Sequence, residues 1–380
     1  MGRLSHFTTA LLVGLIGGTL TPSSGRAATE IMHPPAQAAQ DRKSKMDITP
    51  YKLGDDAFWA SNERGADRLA TDLVGKFRGL LVDAPRRVPI DLRRTFPAAV
   101  YHLGSIRDLS VSTFEKRGLV TAMNVTDNHL YVATGRSFNP DTDVIEATPI
   151  NAANLPDGDM SAVASLELRK GLQLPWAPAR YLLTALLRDQ VSNRAQVELC
   201  RSPACYVDPE VTKYLDAERA KLNPGEIYPR PGERLPSYRR LPDSPPVPAQ
   251  GIEMSATRVS DQRLGQPMLI RGSFRLTPIA SEWVKPGWTD PSVSARPNEP
   301  RPLAVVTVWL LVTGADDGSV SVYPLRVPSW QRDGDTCTGH FALDLRQLRG
   351  GPVQPQTYFV YAFSGIHLAG PLPAALVGTR

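Results

Sequence analysis

Few residues in this chain of 380 have the types and spacing that chemistry needs. Cys337, His340 and His367 fall around the last strand patterns of the second half, and a thiolate beside an imidazole would make a nucleophile. An offset of 177 residues, which relates the two halves, puts Met160, Val163 and Gln190 at these positions in the first half, so any such site would belong to one half alone. Asn139-Pro140-Asp141-Thr142-Asp143 spaces three oxygen ligands like the opening of a calcium loop. Val144 then replaces the required glycine, Ile150 stands where the twelfth-position acid belongs, and the segment reads as a solvated turn. Asp316-Asp317 and Asp333/Asp335 read the same way, as turn formers. Ser364-Gly365 lacks the Gly-x that precedes a nucleophile elbow. The sequence therefore assigns no catalytic, cofactor-binding or metal-ligating set. Asn124-Val125-Thr126 is a glycosylation sequon in a source that adds such glycans.

The N-terminus speaks to the compartment. Arg3 supplies a positive start, Phe7 to Leu20 is an uncharged apolar run, and Gly25 and Ala27 are the small residues of a cleavage site. Residues 1–27 are therefore expected to be a signal peptide, and the mature chain to be periplasmic or secreted. No second apolar run approaches membrane-spanning length. The formal charge of +5 includes Arg3 and Arg26, which leave with the signal; the rest is dispersed and gives no footprint for nucleic acid. In an oxidising compartment Cys200 and Cys205 could close a small loop, leaving Cys337 as the odd thiol, or Cys337 could pair across the halves with either.

The elements that must position these residues are strands. Ser165–Leu199 and Ala342–Leu376 align without a gap at the offset of 177: Leu166 falls on Leu343, Arg169 on Arg346, Pro175 on Pro352, Tyr181 on Tyr358 and Ala185 on Ala362. Short apolar or alternating segments at 88–92, 119–125, 130–133, 162–168, 181–187 and 195–199 are expected strands. So are 268–276, 303–312, 320–327, 339–345 and 358–363, with turn signals such as Asp317-Gly318 between them. The 35 prolines suit β domains with long connections. Leu69, Leu73 and Phe77 set an apolar stripe that predicts a helix over 66–81. Asp208-Pro209-Glu210 starts another in the connector, followed by eight prolines from Pro224 to Pro248. The expected organisation is a flexible leader with a short helix at 28–79, a first β-sandwich at 80–200, a helix and Pro-rich linker at 201–250, and a second β-sandwich at 251–380.

Tyr181-Leu182-Leu183-Thr184-Ala185 through Ser192-Asn193 resembles the final hairpin of bacterial immunoglobulin-like repeats. Tyr358 to Gly365 through Ala369-Gly370-Pro371 is similar to the corresponding hairpin of fibronectin type III domains. The resemblance covers about 35 residues of each half. It implies a mainly β chain of two tandem immunoglobulin-like Greek-key β-sandwiches, in each of which the Tyr hydroxyl caps a corner. It carries no catalytic residues.

Tyr358, Val360 and Ala362 alternate with Phe359, Tyr361 and Phe363, so both faces of that strand are apolar or aromatic. The second trio reads as core and domain interface, or else as an exposed aromatic binding surface. The function expected from these observations is an exported, non-catalytic binding or structural module of the cell envelope, with an envelope protein or a glycan as partner. The alternative is a secreted polysaccharide-acting hydrolase on a β-sandwich scaffold, which would need paired carboxylates across a cleft.

Overall fold

The computed structural model describes residues 53–61, 77–105, 114–138, 158–201, 238, 240–256, 267–285, 301–348, 351–352 and 354–377. The expected signal peptide, the helix beginning at Asp208 and the Asn139–Asp143 turn lie outside these residues.

The chain is mainly β, with several antiparallel sheets in the manner of β-sandwiches. A short helix α1 (Asp56–Ser61) precedes β1 (Gly79–Asp83), β2 (Arg87–Pro89), β3 (Pro97–Ser105), β4 (Leu119–Asn124) and β5 (His129–Thr134). Then come β6 (Asp159–Glu167), β7 (Ala179–Leu187), β8 (Gln190–Val191) and β9 (Ala195–Cys200). The later strands are β10 (Gly251–Ala256), β11 (Leu269–Leu276), β12 (Ala304–Gly314), β13 (Val320–Ser329), β14 (Gln331–Asp333), β15 (Thr336–Asp344), β16 (Thr357–Ser364) and β17 (His367–Ala375).

Four sheets result, in the orders β1-β3-β6, β2-β9-β7-β4-β5, β13-β12-β16-β17 and β10-β11-β15-β14. The first two enclose a core that includes Val82, Val100, Val120, Tyr181, Leu183 and Val197. The other two enclose a core that includes Ile270, Phe274, Val308, Leu310, Phe341 and Val360. In each pair the seven long strands are arranged alike: first, second and fifth in one sheet, fourth, third, sixth and seventh in the other.

The same local chemistry ends the fifth strand in both pairs. Glu167 closes β6 and accepts from Phe96 N (2.9 Å) and Lys170 N (2.9 Å), while Leu168 N donates back to Phe96 O (2.8 Å). Asp344 closes β15 and accepts from Met268 N (2.8 Å) and Arg346 N (3.1 Å), while Leu345 N donates to Met268 O (3.0 Å). An acid at this position caps the following helical turn and pins the start of the neighbouring strand in one step.

Three expectations are corrected. The end of the helix expected over 66–81 is strand: Gly79 takes a φ of 127°, and Gly79–Asp83 pairs antiparallel with β3. Leu53 to Trp59, expected within a flexible leader, is folded: Leu53, Phe58 and Trp59 cover Leu81, Tyr101 and Leu103 on the outer face of that sheet, and Gly54 N donates to Asp83 Oδ1 (2.6 Å). Of the two expected corner tyrosines, Tyr358 alone bonds upstream, donating to Gln354 O (3.0 Å). The buried Tyr181 hydroxyl finds no acceptor among the described residues. Burial, with Tyr131 and Asp127 nearby, pushes it well above the ordinary phenol range.

In the second pair, Gly272 faces Phe341 and Gly339 faces Phe274 across β11 and β15. A Cβ at Gly339 would lie 2.4 Å from the Phe274 ring. Gly339→Ala should therefore overpack the core and lower the unfolding free energy by about 1–3 kcal/mol, read from urea denaturation. An unchanged midpoint would refute this account of the glycine.

Candidate functional site

Strand alternation puts a second apolar face on each of the two large central sheets. Inward residues such as Val120, Leu183 and Ala185 fill the first core, so Leu119, Met123, Leu182 and Leu186 face the other way. On the second pair the outward set is Trp309, Leu311, Phe359, Tyr361 and Phe363. These two outward faces meet and form one cluster with Leu130, Val132, Val191, Val320, Val322 and Leu368. The molecule is thus four sheets deep, with the two large sheets back to back.

The faces that meet are equivalent. The 177-residue offset relates Leu182 to Phe359, Thr184 to Tyr361 and Leu186 to Phe363. The ladders carry the correspondence sideways: Leu119 pairs with Leu186 as Trp309 pairs with Phe363, and Val191 pairs with Leu186 as Leu368 pairs with Phe363.

A polar key sits at one edge of this contact. Asn128, in the turn between β4 and β5, takes a φ of 55°, which asparagine tolerates in a tight turn. Its Nδ2 donates to Glu282 Oε1 (2.8 Å) and Thr307 O (2.9 Å), with Ser364 Oγ at 3.3 Å. Its Oδ1 accepts from Gly365 N (2.7 Å), and its carbonyl accepts from Trp309 Nε1 (2.7 Å). Glu282 is 5% exposed and also accepts from Thr307 N (2.8 Å) and Ile279 N (3.1 Å). Arg117 donates to Ala315 O (3.1 Å), Tyr361 OH to Arg188 O and Arg194 to Ile366 O. Beside the key lies a cleft of about 200 Å³ lined by Val125, Gln250, Leu276, Ile366 and His367 together with Glu282 and Ser364 of the key.

The residues singled out from sequence fall as follows. Tyr361 and Phe363 are buried at 0% and 3% exposure and Phe359 is half-buried; all three lie in the contact between the two central sheets, so the first half of the chain covers this face. Cys200 is buried at the end of β9, and Cys205 lies outside the described residues. Cys337 is a buried free thiol that points into the second core, and burial pushes it up from the ordinary thiol range. His340, three residues on, faces the opposite side of β15, so the two cannot pair. The His340 imidazole instead meets Ser273 Oγ (2.8 Å), whose proton goes to Pro245 O (2.6 Å); that hydroxyl is a tether, not a nucleophile. His367 is held below its ordinary range by burial and by Arg194. Asn124 of the sequon is wholly buried, with its Oδ1 accepting from Thr126 N (2.9 Å), which leaves no room for a glycan in the folded chain. Asp333 and Asp335 pair with Arg275 and Arg332. Among the described residues no group of three or more His, Cys, Asp or Glu could hold a metal, and no helix is long and apolar enough to cross a membrane.

Sequence reasoning missed Asn128 and Glu282, the two residues on which the key turns. Only the turn propensity of Asp127-Asn128 was visible, and nothing marks Glu282 within Ser281-Glu282-Trp283.

No family model matches the chain, and no curated protein does. Among solved structures, a pullulanase from Anoxybacillus sp. LM18-11 complexed with maltotriose aligns at 7% identity and a TM-score of 0.15, covering 79% of this chain and 28% of that one. This chain thus spans under a third of that protein's length. A bacterial adhesin from Mobiluncus mulieris containing intramolecular disulfide, isopeptide and ester bond cross-links aligns at 9% identity and a TM-score of 0.14, covering 75% and 81%. Likenesses this faint carry no argument about fold or function.

Removing the key should uncouple the halves. Asn128→Ala strips Glu282 and Gly365 of buried partners and is expected to cost about 2–4 kcal/mol. Asn128→Asp, nearly the same shape, sets a second carboxylate against Glu282 and should cost more. Urea denaturation followed by tryptophan fluorescence reads both; equal stability of the two variants would remove Glu282 from the account.

Proposed function

We propose that this is an exported, non-catalytic binding or structural module of a bacterial cell envelope. In this reading the two sheet pairs are related immunoglobulin-like sandwiches, the Pro-rich segment between them is their connector, and residues 1–27 are a signal peptide. The observation that supports it best is the junction. The polar side chains there, Asn128, Glu282 and Ser364, spend their hydrogen bonds on one another and on backbone, which holds the halves together. A carboxylate committed to three N–H donors serves as an anchor rather than as an acid or base for a glycoside. The aromatic trio of β16 supports the same reading, because its hydrophobic surface is used within the chain. Partners then meet the outer faces and the loop ends, an envelope protein or a glycan being the class expected.

The bridge between Cys200 and Cys205 belongs to this proposal. Thiol titration of the unfolded, unreduced chain should find one free thiol; three would remove the bridge and weaken the case for an oxidising compartment.

The test of binding is capture by the mature chain, from Ala28, immobilised against an envelope extract of its source. A single stoichiometric protein or glycan, retained at physiological ionic strength and released by excess soluble chain, is the expected result. Failure to retain any such component would overturn the binding role.

A further inference from the structure

We propose that the outer face of the β10-β11-β15-β14 sheet holds an anion-binding site centred on Arg271, with an oxyanion, a carboxylate or a phosphate, as its ligand. This goes beyond the module reading and does not depend on it.

The register fixes which residues share this face. Core-facing Ile270, Gly272 and Phe274 alternate with Arg271, Ser273 and Arg275 on the outside of β11. Arg271 stands opposite Ser255 on β10 and Ala342 on β15, and Ser273 stands opposite Glu253 and His340. Same-face neighbours across antiparallel strands lie within reach of a long side chain, so Arg271, Ser255, Ser273 and His340 form one patch.

Arg271 is the anomaly in that patch. It is 9% exposed, its Nε is buried without an acceptor, and it forms no ion pair with any described residue. Lysine or a carboxyl group in such a place can shed its charge; a guanidinium cannot, and it offers five donors in a planar fork. A buried cation without a counter-charge is costly, and the group that matches its fork is an oxyanion bound through two N–H donors.

Among the described residues no carboxylate pairs with Arg271. Arg275 is taken by Asp333. Asp344 Oδ1 accepts from Met268 N and Arg346 N, and Glu253 is exposed beside Ser273 without an ion pair to Arg271. Positive charge converges instead: Arg240 lies close enough to His340 to act with burial in holding that imidazole below its ordinary range. Ser273 Oγ and Ser255 Oγ donate to Pro245 O (2.6 Å) and Asp243 O (3.1 Å), so the segment entering β10 runs along this face and gives the patch a wall. Because Ser273 Oγ gives its proton to Pro245, it accepts from His340 Nδ1. Nε2 then carries the lone pair of the neutral ring and becomes a donor to an anion only on protonation.

The test compares the full chain with Arg271→Met, which keeps the stem and removes the charge. Melting is followed in sodium phosphate, sodium acetate and sodium chloride at matched ionic strength. The native chain should melt at least about 2 °C higher in phosphate or acetate than in chloride. The variant should show no such difference and should melt in chloride no lower than the native chain. A response to phosphate alone assigns a phosphate ligand, and to acetate alone a carboxylate. Equal responses in both proteins, or none in the native chain, would overturn the site. Should the variant fail to fold, calorimetric titration of the native chain with phosphate and with acetate decides: saturable binding of either near one per chain supports the site, and its absence refutes it.

Discussion

Everything in this molecule follows from one requirement: the strands at its centre are apolar on both faces and need a sheet on either side. Leu119 to Asn124 is buried at every position, and so are most residues of Ala304–Gly314 and Thr357–Ser364. A two-sheet sandwich satisfies one face and leaves the other in water. The chain meets the requirement by turning the second face of its first half onto the second face of its second half. The surfaces are equivalent in position, so the contact has the character of an isologous dimer interface closed within one polypeptide. Equivalence is not identity. Thr184 stands where the other half has Tyr361; Thr121 Oγ1 donates to Thr184 O (3.2 Å), while Tyr361 reaches across to Arg188 O.

Apolar contact between two sheets is non-directional and would tolerate sliding. Asn128 removes that freedom. Its amide satisfies a buried carbonyl, a buried carboxylate and a part-buried backbone N–H at fixed positions, so any displaced register leaves several polar groups unpaired. The turn that presents Asn128 requires a left-handed residue, and asparagine meets both the backbone and the side-chain demand. Positive φ recurs where the chain leaves the central strands: Arg188 at 53° and Gly365 at 52° are related by the same offset, and each is bonded across the junction.

How far the sequence was legible follows the same physics. Strands buried on one or both faces by regular alternation, β4, β7, β12 and β16, were read within a residue or two. The strand β3 was not: Pro97, His102 and Gly104 obscure it, and its outer face is buried by α1 and residues far along the chain, so no polar alternation marks it. Nor was β17, which carries Gly370, Pro371 and Pro373 and is tolerated as a strand because it lies at a sheet edge. The aromatic alternation of β16 announced a covered second face, but not what covers it. That depended on Leu182 and Leu186, which look like ordinary core residues until the register puts them outside. Glu282 and Arg271 had no local signal and Asn128 only that of a turn former, because their meaning lies in partners, present or missing, on other strands.

A chain built this way has limited ways to meet a partner. The two largest sheet faces are used up internally, and the outer face of the first pair is covered by residues 53–59. Strand addition at an edge is hindered where the outermost strands carry proline: Pro89 in β2, Pro324 and Pro328 in β13, Pro371 and Pro373 in β17. Proline offers no N–H to an incoming strand, and β14, at another edge, is three residues long and exposed throughout. Four edge strands, β1, β5, β6 and β10, carry no proline, and besides them the loop ends and the polar outer face of β10-β11-β15-β14 are left. Recognition by such a surface works through charge and hydrogen bonds more than through buried area, and it would weaken as salt rises.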